Sequence, residues 1–424
     1  MMLDRIRKAS RRILDHAEGL PLQIFIRAKK GILARFTNNG VHQNGFQEIF
    51  SYTLRLLTSS GPVFAESNDV SELGIQETLR RLRTVAPDPE PFSPPPKADT
   101  PKKREHFPFP LEKAPERAAQ AVQEAVGILR RAQASANGYY SAYERFFYLS
   151  NPEGLELFHP TTAVRFGVTA IKGGGKGYFS FYHPDPCRLD VPHVVQESLR
   201  VAEAASRQEI PVPPGEYECI FSPRAFLELI EPLRRHFDAR LTQDGKSVFT
   251  GLLGKQVFSK EFTMREDLGH PRQFGIPFDS EGHSKRRVDL VEGGVLKGLL
   301  GEGHSTRGLL EHPFYPQNLV VEEGTFSLQE LFEKIERGIF INKIWYHTLV
   351  REPAMEVTGL ATAGSLYLEK GRIVGRAVHL RYHDSLFSIL NSVAGASREQ
   401  ILLKDGEMGA ALFPYLWVSR LRVV

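Results

Sequence analysis

The stretch Gly275 to Leu300, GIPFDSEGHSKRRVDLVEGGVLKGLL, constrains the fold more than any other part of the chain. It reads as a turn, a strand of alternating character and a second turn, the pattern of a half-buried strand between reversals. Similar grammar runs through the first half. Leu22 to Ile26, Gly31 to Phe36 before Asn38-Asn39-Gly40, and Gln47 to Leu57 before Ser59-Ser60-Gly61 suggest an antiparallel meander. Further strands are expected at Tyr139 to Leu149, Leu155 to His159, Val164 to Ile171, Tyr178 to Tyr182, Glu216 to Phe221 and Leu416 to Val423.

Helical spacing appears between them. Leu3, Ile6, Ile13, Leu14 and Ala17 recur on one face of the first segment, and Gln76 to Val85, Leu111 to Ala136, Pro192 to Arg207 and Pro223 to Arg240 read as helices. Ser327-Leu328-Gln329-Glu330 opens a helix to Arg337 with a capping box. Ala86 to Pro110 holds nine of the 28 prolines, so it is expected to be an extended connector. The resulting division is residues 1–85 as an N-terminal α+β part, 86–110 as connector, 111–210 as the rest of the N-terminal domain, and 211–424 as a β-rich C-terminal domain. The fold class is α+β, with antiparallel strands dominating the second domain.

A net charge of +4 over 424 residues excludes a strongly basic nucleic-acid binder, and Lys102-Lys103-Arg104 and Lys285-Arg286-Arg287 read as solvated turns. Two cysteines, Cys187 and Cys219, build no disulfide framework, which fits a reducing compartment. The charged N-terminus has no continuous apolar core of a leader, and no run approaches the roughly 20 apolar residues that cross a bilayer. A cytoplasmic protein without membrane or nucleic-acid partners is the expectation. Gly173 to Gly177 lacks the Gly-Lys-Ser/Thr and following helix of a phosphate loop and is read as a hairpin turn. Cys219, in an alternating strand with Tyr217 and Phe221, is read as core.

The order of Gly275 to Leu300, Asn318 to Ile341, Val357-Thr358-Gly359 and Gly364 to Val374 resembles the C-terminal domain of the TldD/PmbA family, once named for modulation of DNA gyrase. Arg35 to Ser67 and Tyr148 to Ile171 resemble its first half more loosely. The resemblance implies a two-domain fold and a choice between two branches. A TldD-like kind carries a zinc peptidase helix, H-E-x-x-x-H, and a further Cys near the C-terminus. A TldE-like (PmbA-like) kind lacks them.

Placed on that pattern, Glu231 and Pro232 fall where His and Glu would stand, and His236 falls at the second His. A proline accepts no proton, and Glu231 with His236 gives two ligands where zinc needs three or four. Leu402 to Ala411 contains no Cys. No metal or other cofactor is therefore assigned to this chain, zinc being expected only in a TldD-like partner; His236 otherwise reads as a helix-surface residue. Elsewhere, the neighbours of His379 and His383, Val374 to Tyr382, read as a strand, along which four residues span about 13 Å. Glu302-Gly303-His304 and Glu311-His312 bracket a short helical piece that could bring metal donors together. No Gly-x-Ser-x-Gly elbow occurs.

By the resemblance, the chain is expected to be a non-catalytic TldE-like subunit of a metallopeptidase assembly for proteolysis and peptide maturation, inactive alone and paired with a TldD-like subunit. An extended peptide would be held by main-chain bonding at a sheet edge, with Thr358 and Gly359 as candidate contacts. Two alternatives stand beside this: an autonomous metal-dependent peptidase with a diverged site, and a homodimeric peptide-binding protein.

Overall fold

In the computed structural model, residues 2–87, 106–107, 110–301, 316–405 and 409–424 are described. Most of the expected connector, the basic triplet at 102–104, and the groups containing His304 and His312 lie outside them.

The first half contains α1 (Met2–Ala17), β1 (Leu22–Thr37), β2 (Gly40–Thr58), β3 (Gly61–Ser67), α2 (Glu72–Leu82), α3 (Ala114–Arg131), β4 (Ser135–Ser150), β5 (Glu156–Lys172), β6 (Gly175–His183) and α4 (Val191–Ala205). Its strands form one antiparallel six-stranded sheet in the order β3-β2-β1-β4-β5-β6. Residues 22–67 and 135–183 thus share a single sheet across the intervening segment.

Strand alternation decides what covers this sheet. On β1, Ile24, Ile26 and Ala28 pack beneath α1 and α2, while Ile32, Ala34 and Phe36 on the same face pack beneath α3 and α4. On α1, Ile6, Ala9, Ile13 and Ala17 are buried, each large aliphatic removing apolar surface worth roughly 1.5–3 kcal/mol. The opposite face carries Phe25, Phe147, Leu149 and Leu157 against Ile276 and Phe278 of the second half.

Two local readings differ from the structure. β1 runs unbroken through Lys29-Lys30-Gly31, because Gly31 lies opposite Tyr143, whose Cβ would be 2.5 Å from a Cβ at position 31. The absence of a side chain there permits close strand approach and does not mark a turn. The helix expected to reach Ala136 stops at Arg131, since Gln133 is left-handed (φ 53°) and Ala134 N–H donates to Leu129 O. That is a Schellman ending, and it frees residues from Ser135 onward to join the sheet.

The second half contains β7 (Glu209–Pro211), β8 (Gly215–Phe221), α5 (Pro223–Leu229), α6 (Glu231–Arg234), α7 (Ala239–Gln243), β9 (Met264–Glu266), β10 (Val288–Glu292), β11 (Val295–Leu296), β12 (Leu319–Val321), α8 (Leu328–Lys334), β13 (Arg337–Ile341), β14 (Lys343–Arg351), β15 (Glu356–Thr362), β16 (Leu366–Glu369), β17 (Arg372–Val378), β18 (Arg381–Ser385), α9 (Leu386–Asn391), β19 (Val393–Asp405) and β20 (Gly409–Val423). These strands build a fourteen-stranded branched sheet with β20 as its hub. Most pairs are antiparallel, but β8 runs parallel to β13, β12 to β20 and β7 to β17.

β10 and β11 form the hairpin in the opening motif, turning through Gly293 (φ 53°) and Gly294 (φ 76°), both left-handed as a two-residue reversal requires. The capping box forms as expected: Glu330 N–H donates to Ser327 Oγ at 3.2 Å, and Ser327 N–H donates to the Glu330 carboxylate at 2.6 Å. Cys219 is fully buried in the main core with Tyr217 and Phe221, and burial pushes its thiol well above the usual range. No helix among the described residues is long and apolar enough to cross a membrane.

Of the triplet expected to be solvated, Arg286 and Arg287 are exposed, but Lys285 is half-buried. Burial pushes the Lys285 ammonium down, against attraction by Glu266 and Asp279, and it donates to Gln317 Oε1 at 2.5 Å. Lys285 thus turns inward toward Glu266, Asp279 and Gln317, a long-range circumstance that its charge alone does not disclose.

Candidate functional site

β8 delivers the chain to Ser222, which caps α5. Its Oγ accepts from Ala225 N–H at 3.1 Å and donates to Asn342 O at 2.6 Å. The expected single helix from Pro223 to Arg240 is broken into α5, α6, a 3-10 turn at Arg235–Phe237 and α7. Pro232 has no N–H for the carbonyl one turn earlier, and Asp238 restarts the chain by accepting from Arg240 and Leu241 N–H.

The residues that the resemblance sets against the zinc motif, Glu231, Pro232 and His236, lie along these short pieces. Glu231 is half exposed and pairs with Arg234 at 3.2 Å. His236 is a buried residue, not a surface one: its ring is 0% exposed, and the next residue, Phe237, packs 4.8 Å from the Phe249 ring. His236 Nδ1 accepts from Val248 N–H at 3.3 Å, so the neutral ring carries its proton on Nε2. Nε2 faces Glu352 Oε1 at 3.5 Å, and Arg235 Nη1 reaches the same oxygen at 3.7 Å. Burial pushes the imidazole below its ordinary value, Glu352 opposing and Arg235 reinforcing.

Beside this lies β14, bonded to β15 with bulges that set Trp345 and Val350 outside the regular register. Trp345 is 75% exposed, Tyr346 50% and Val350 53%. Below them His347 Nδ1 and Tyr382 Oη are 2.7 Å apart, and burial pushes His347 down to about 4. None of Trp345, His347 or Glu352 was singled out from the sequence; the signal available was a polar His among aromatics in a strand.

Thr358 and Gly359 sit on β15, one strand inside β14. Their main chain is flanked by β14 and β18, and Thr358 Oγ1 donates to Tyr382 O at 3.0 Å. They therefore offer no free edge to an added strand. His379 and His383 are not on one strand: His379 is left-handed (φ 56°) between β17 and β18, and His383 lies opposite Thr358.

Residues 214–424 match the PmbA/TldA metallopeptidase C-terminal domain. The chain belongs to the TldD/PmbA family. A metalloprotease of Methanothermobacter thermautotrophicus is 25% identical over 214 residues, 45% of this chain and 47% of that protein. An uncharacterised protein of Methanocaldococcus jannaschii is 24% identical over 247 residues, 53% of this chain and 56% of the other. The match thus spans about half the length of these curated relatives. TldE from Thermococcus kodakarensis superposes with a TM-score of 0.82 at 18% identity, covering 100% of this chain and 99% of that one, a likeness of fold.

The zinc implied by TldD-like members can be tested against the residues here. Zinc requires three or four nitrogen, sulfur or oxygen donors at about 2.0–2.3 Å. Among the described residues, no group of three or more His, Cys, Asp or Glu side chains converges in that way. Around His236, Nδ1 is occupied by a main-chain N–H and Arg235 adds a positive charge. This donor set does not fit zinc.

Proposed function

We propose that this chain is a non-catalytic, TldE-like subunit of a TldD/TldE-type metallopeptidase assembly, acting in the cytoplasm on unfolded peptides. One observation supports the reading: His236, which the resemblance sets at the second His of the zinc motif, is sealed in the core with Nδ1 accepting from Val248 N–H, and Pro232, set at the base position by the same resemblance, accepts no proton. A site that activates water needs an open coordination position and a base. In this reading catalysis belongs to a zinc-bearing partner of the same family, and this chain contributes substrate binding.

The exposed side chains of β14 support the second part. Trp345, Tyr346 and Val350 are exposed on β14, where an aromatic anchor and an outer strand suit a chain in extended conformation. The relatives named metalloprotease are consistent with a proteolytic setting.

Metal analysis of the purified chain after zinc loading and desalting, followed by a peptide-cleavage assay with and without a TldD-like zinc subunit, tests this. Substoichiometric zinc and cleavage only in the mixture are expected. One equivalent of zinc with chelator-sensitive cleavage by this chain alone would make it an autonomous peptidase instead.

A further inference from the structure

We propose that a cationic face of the six-stranded sheet binds acidic segments of extended peptides, which rests on the substrate-binding role proposed above and gives it a substrate class. The face is the one that carries Phe25, Phe147, Leu149 and Leu157 against the second half. Beyond that contact it continues through alternate residues of β2, β1, β4, β5 and β6, at 43–49, 29–35, 139–145, 161–169 and 178–182. Those positions include Lys29, Arg35, Arg145 and Arg165 and not one carboxylate. The chain as a whole has 54 basic and 50 acidic residues, so this segregation of sign is local.

Tyrosine rings hold these cations. Lys29 Nζ and Arg145 Cζ lie 5.3 and 4.6 Å from the centre of the Tyr143 ring, and Arg165 Cζ lies 5.4 Å from that of Tyr139. A cation held over a ring keeps its charge and has already lost part of its side-chain freedom, so less entropy is lost when a carboxylate arrives. The second half continues the same character along β6, where Lys343 Nζ lies 4.3 Å from the centre of Tyr178 and Lys404 Nζ 5.8 Å from that of Tyr182. Arg224 of α5 interacts with Tyr139 and Tyr178 and pairs with Glu228 at 2.9 Å, which offsets its charge. With Tyr178, Ser180 and Asn342 it lines a pocket where the two halves meet.

The spacing suits a chain lying along the strands. Side chains on one side of an extended peptide recur at the same interval as alternate residues of a strand, about 6.6–6.8 Å. Arg35 and Lys29 are separated by about 20 Å on β1, and Arg165 stands at a level between them, opposite Ser141, which itself pairs with Leu33. Such a peptide meets a cation at three levels, and each arginine can take a carboxylate through two N–H donors at once. Single-stranded nucleic acid is the other polyanion that a surface of this sign attracts, but it also requires ring faces on which bases stack. Tyr143 is 4% exposed beneath two cations, and Tyr139, Tyr178 and Tyr182 each have a cation over the ring. Charges are offered and ring faces are not, which favours carboxylates.

The test is fluorescence anisotropy of a labelled peptide of about twelve residues, long enough to span the three levels, with glutamate at alternate positions, mixed with the full-length chain alone. At low salt it is expected to bind at least tenfold tighter than its glutamine counterpart and to lose that preference as salt rises. Arg35→Gln with Arg165→Gln should weaken the acidic peptide at least tenfold with unchanged circular dichroism, and Arg35→Gln alone, at an exposed position, at least threefold. Arg80→Gln, at an exposed cation of α2, should leave it unchanged. Arg35→Glu with Arg165→Glu should transfer the preference to a lysine counterpart, which loss of structure does not do. Equal binding of the glutamate and glutamine peptides, a loss produced equally by Arg80→Gln, or tighter binding of an oligothymidylate of the same length would overturn the proposal. No zinc subunit is present, so the outcome separates from the peptidase assay: cleavage in the mixture without an acidic preference refutes the cationic face alone, and acidic binding without cleavage in the mixture refutes the subunit role alone.

Discussion

Glu281 and Arg55 face each other at 3.3 Å with only 2% and 1% of their side chains exposed, joining the N-terminal sheet to the loop after Phe278. Burial raises Glu281 to about 8, with Asp279 adding to the rise and Arg55 opposing it. Arg55 is itself pushed down by burial, so on both sides desolvation exceeds the attraction between them. His283 Nε2 also faces Glu281, 3.8 Å from Oε2. An acid whose folded pKa lies above its unfolded value contributes stability that is fully present below the unfolded pKa and lost as pH rises toward the folded one. For Glu281 the window runs from 4.5 to about 8. At pH 7 the proton linkage amounts to about 2.5 pH units at 1.36 kcal/mol each, roughly 3 kcal/mol. Glu281→Gln keeps the shape and removes the proton. Thermal and urea unfolding of both proteins should therefore agree near pH 5 and diverge as pH rises, the variant becoming the more stable by about 3 kcal/mol at pH 7. A gap independent of pH, or one that favours the wild type increasingly toward pH 8, would refute burial as the governing effect.

Phe278→Ala removes an aromatic side chain that is 1% exposed between the two halves and should cost about 3–5 kcal/mol in urea unfolding. Ser327→Ala deletes one arm of the capping box on α8 and should lower stability by about 1 kcal/mol, read as a small drop in Tm. His236→Ala should reduce Tm through the cavity it leaves, while kcat/KM of a reconstituted assembly stays within about twofold of wild type, a shift under about 0.5 kcal/mol; a thousandfold loss in kcat would make the imidazole catalytic. Trp345→Ala should leave Tm unchanged and weaken peptide binding by the assembly about tenfold or more, as for an interface anchor, measured as a rise in KM.

Much of the fold was legible along the chain because its signals are local. Alternation placed β8 and β10, Asn38-Asn39-Gly40 marked the turn into β2, and Ser327 with Glu330 marked the start of α8. That Pro232 offers no proton acceptor was equally legible, since a proline accepts no proton in any environment. The internal position of Thr358 and Gly359 was not, because it depends on β14 and β18 arriving from either side.

Residue order by itself determined the strand-rich α+β class and the turns and caps, all properties of neighbours in sequence. Only the tertiary structure decided that β1 continues past Gly31, that β8 lies parallel to β13, that His236 is buried and that Lys285 turns inward to Gln317. Each of these outcomes is set by groups brought together from far along the chain: Tyr143 beside Gly31, Gln317 and Glu266 around Lys285, Val248 and Glu352 around His236. Burial and pairing are properties of that assembly, and local pattern carries no record of them.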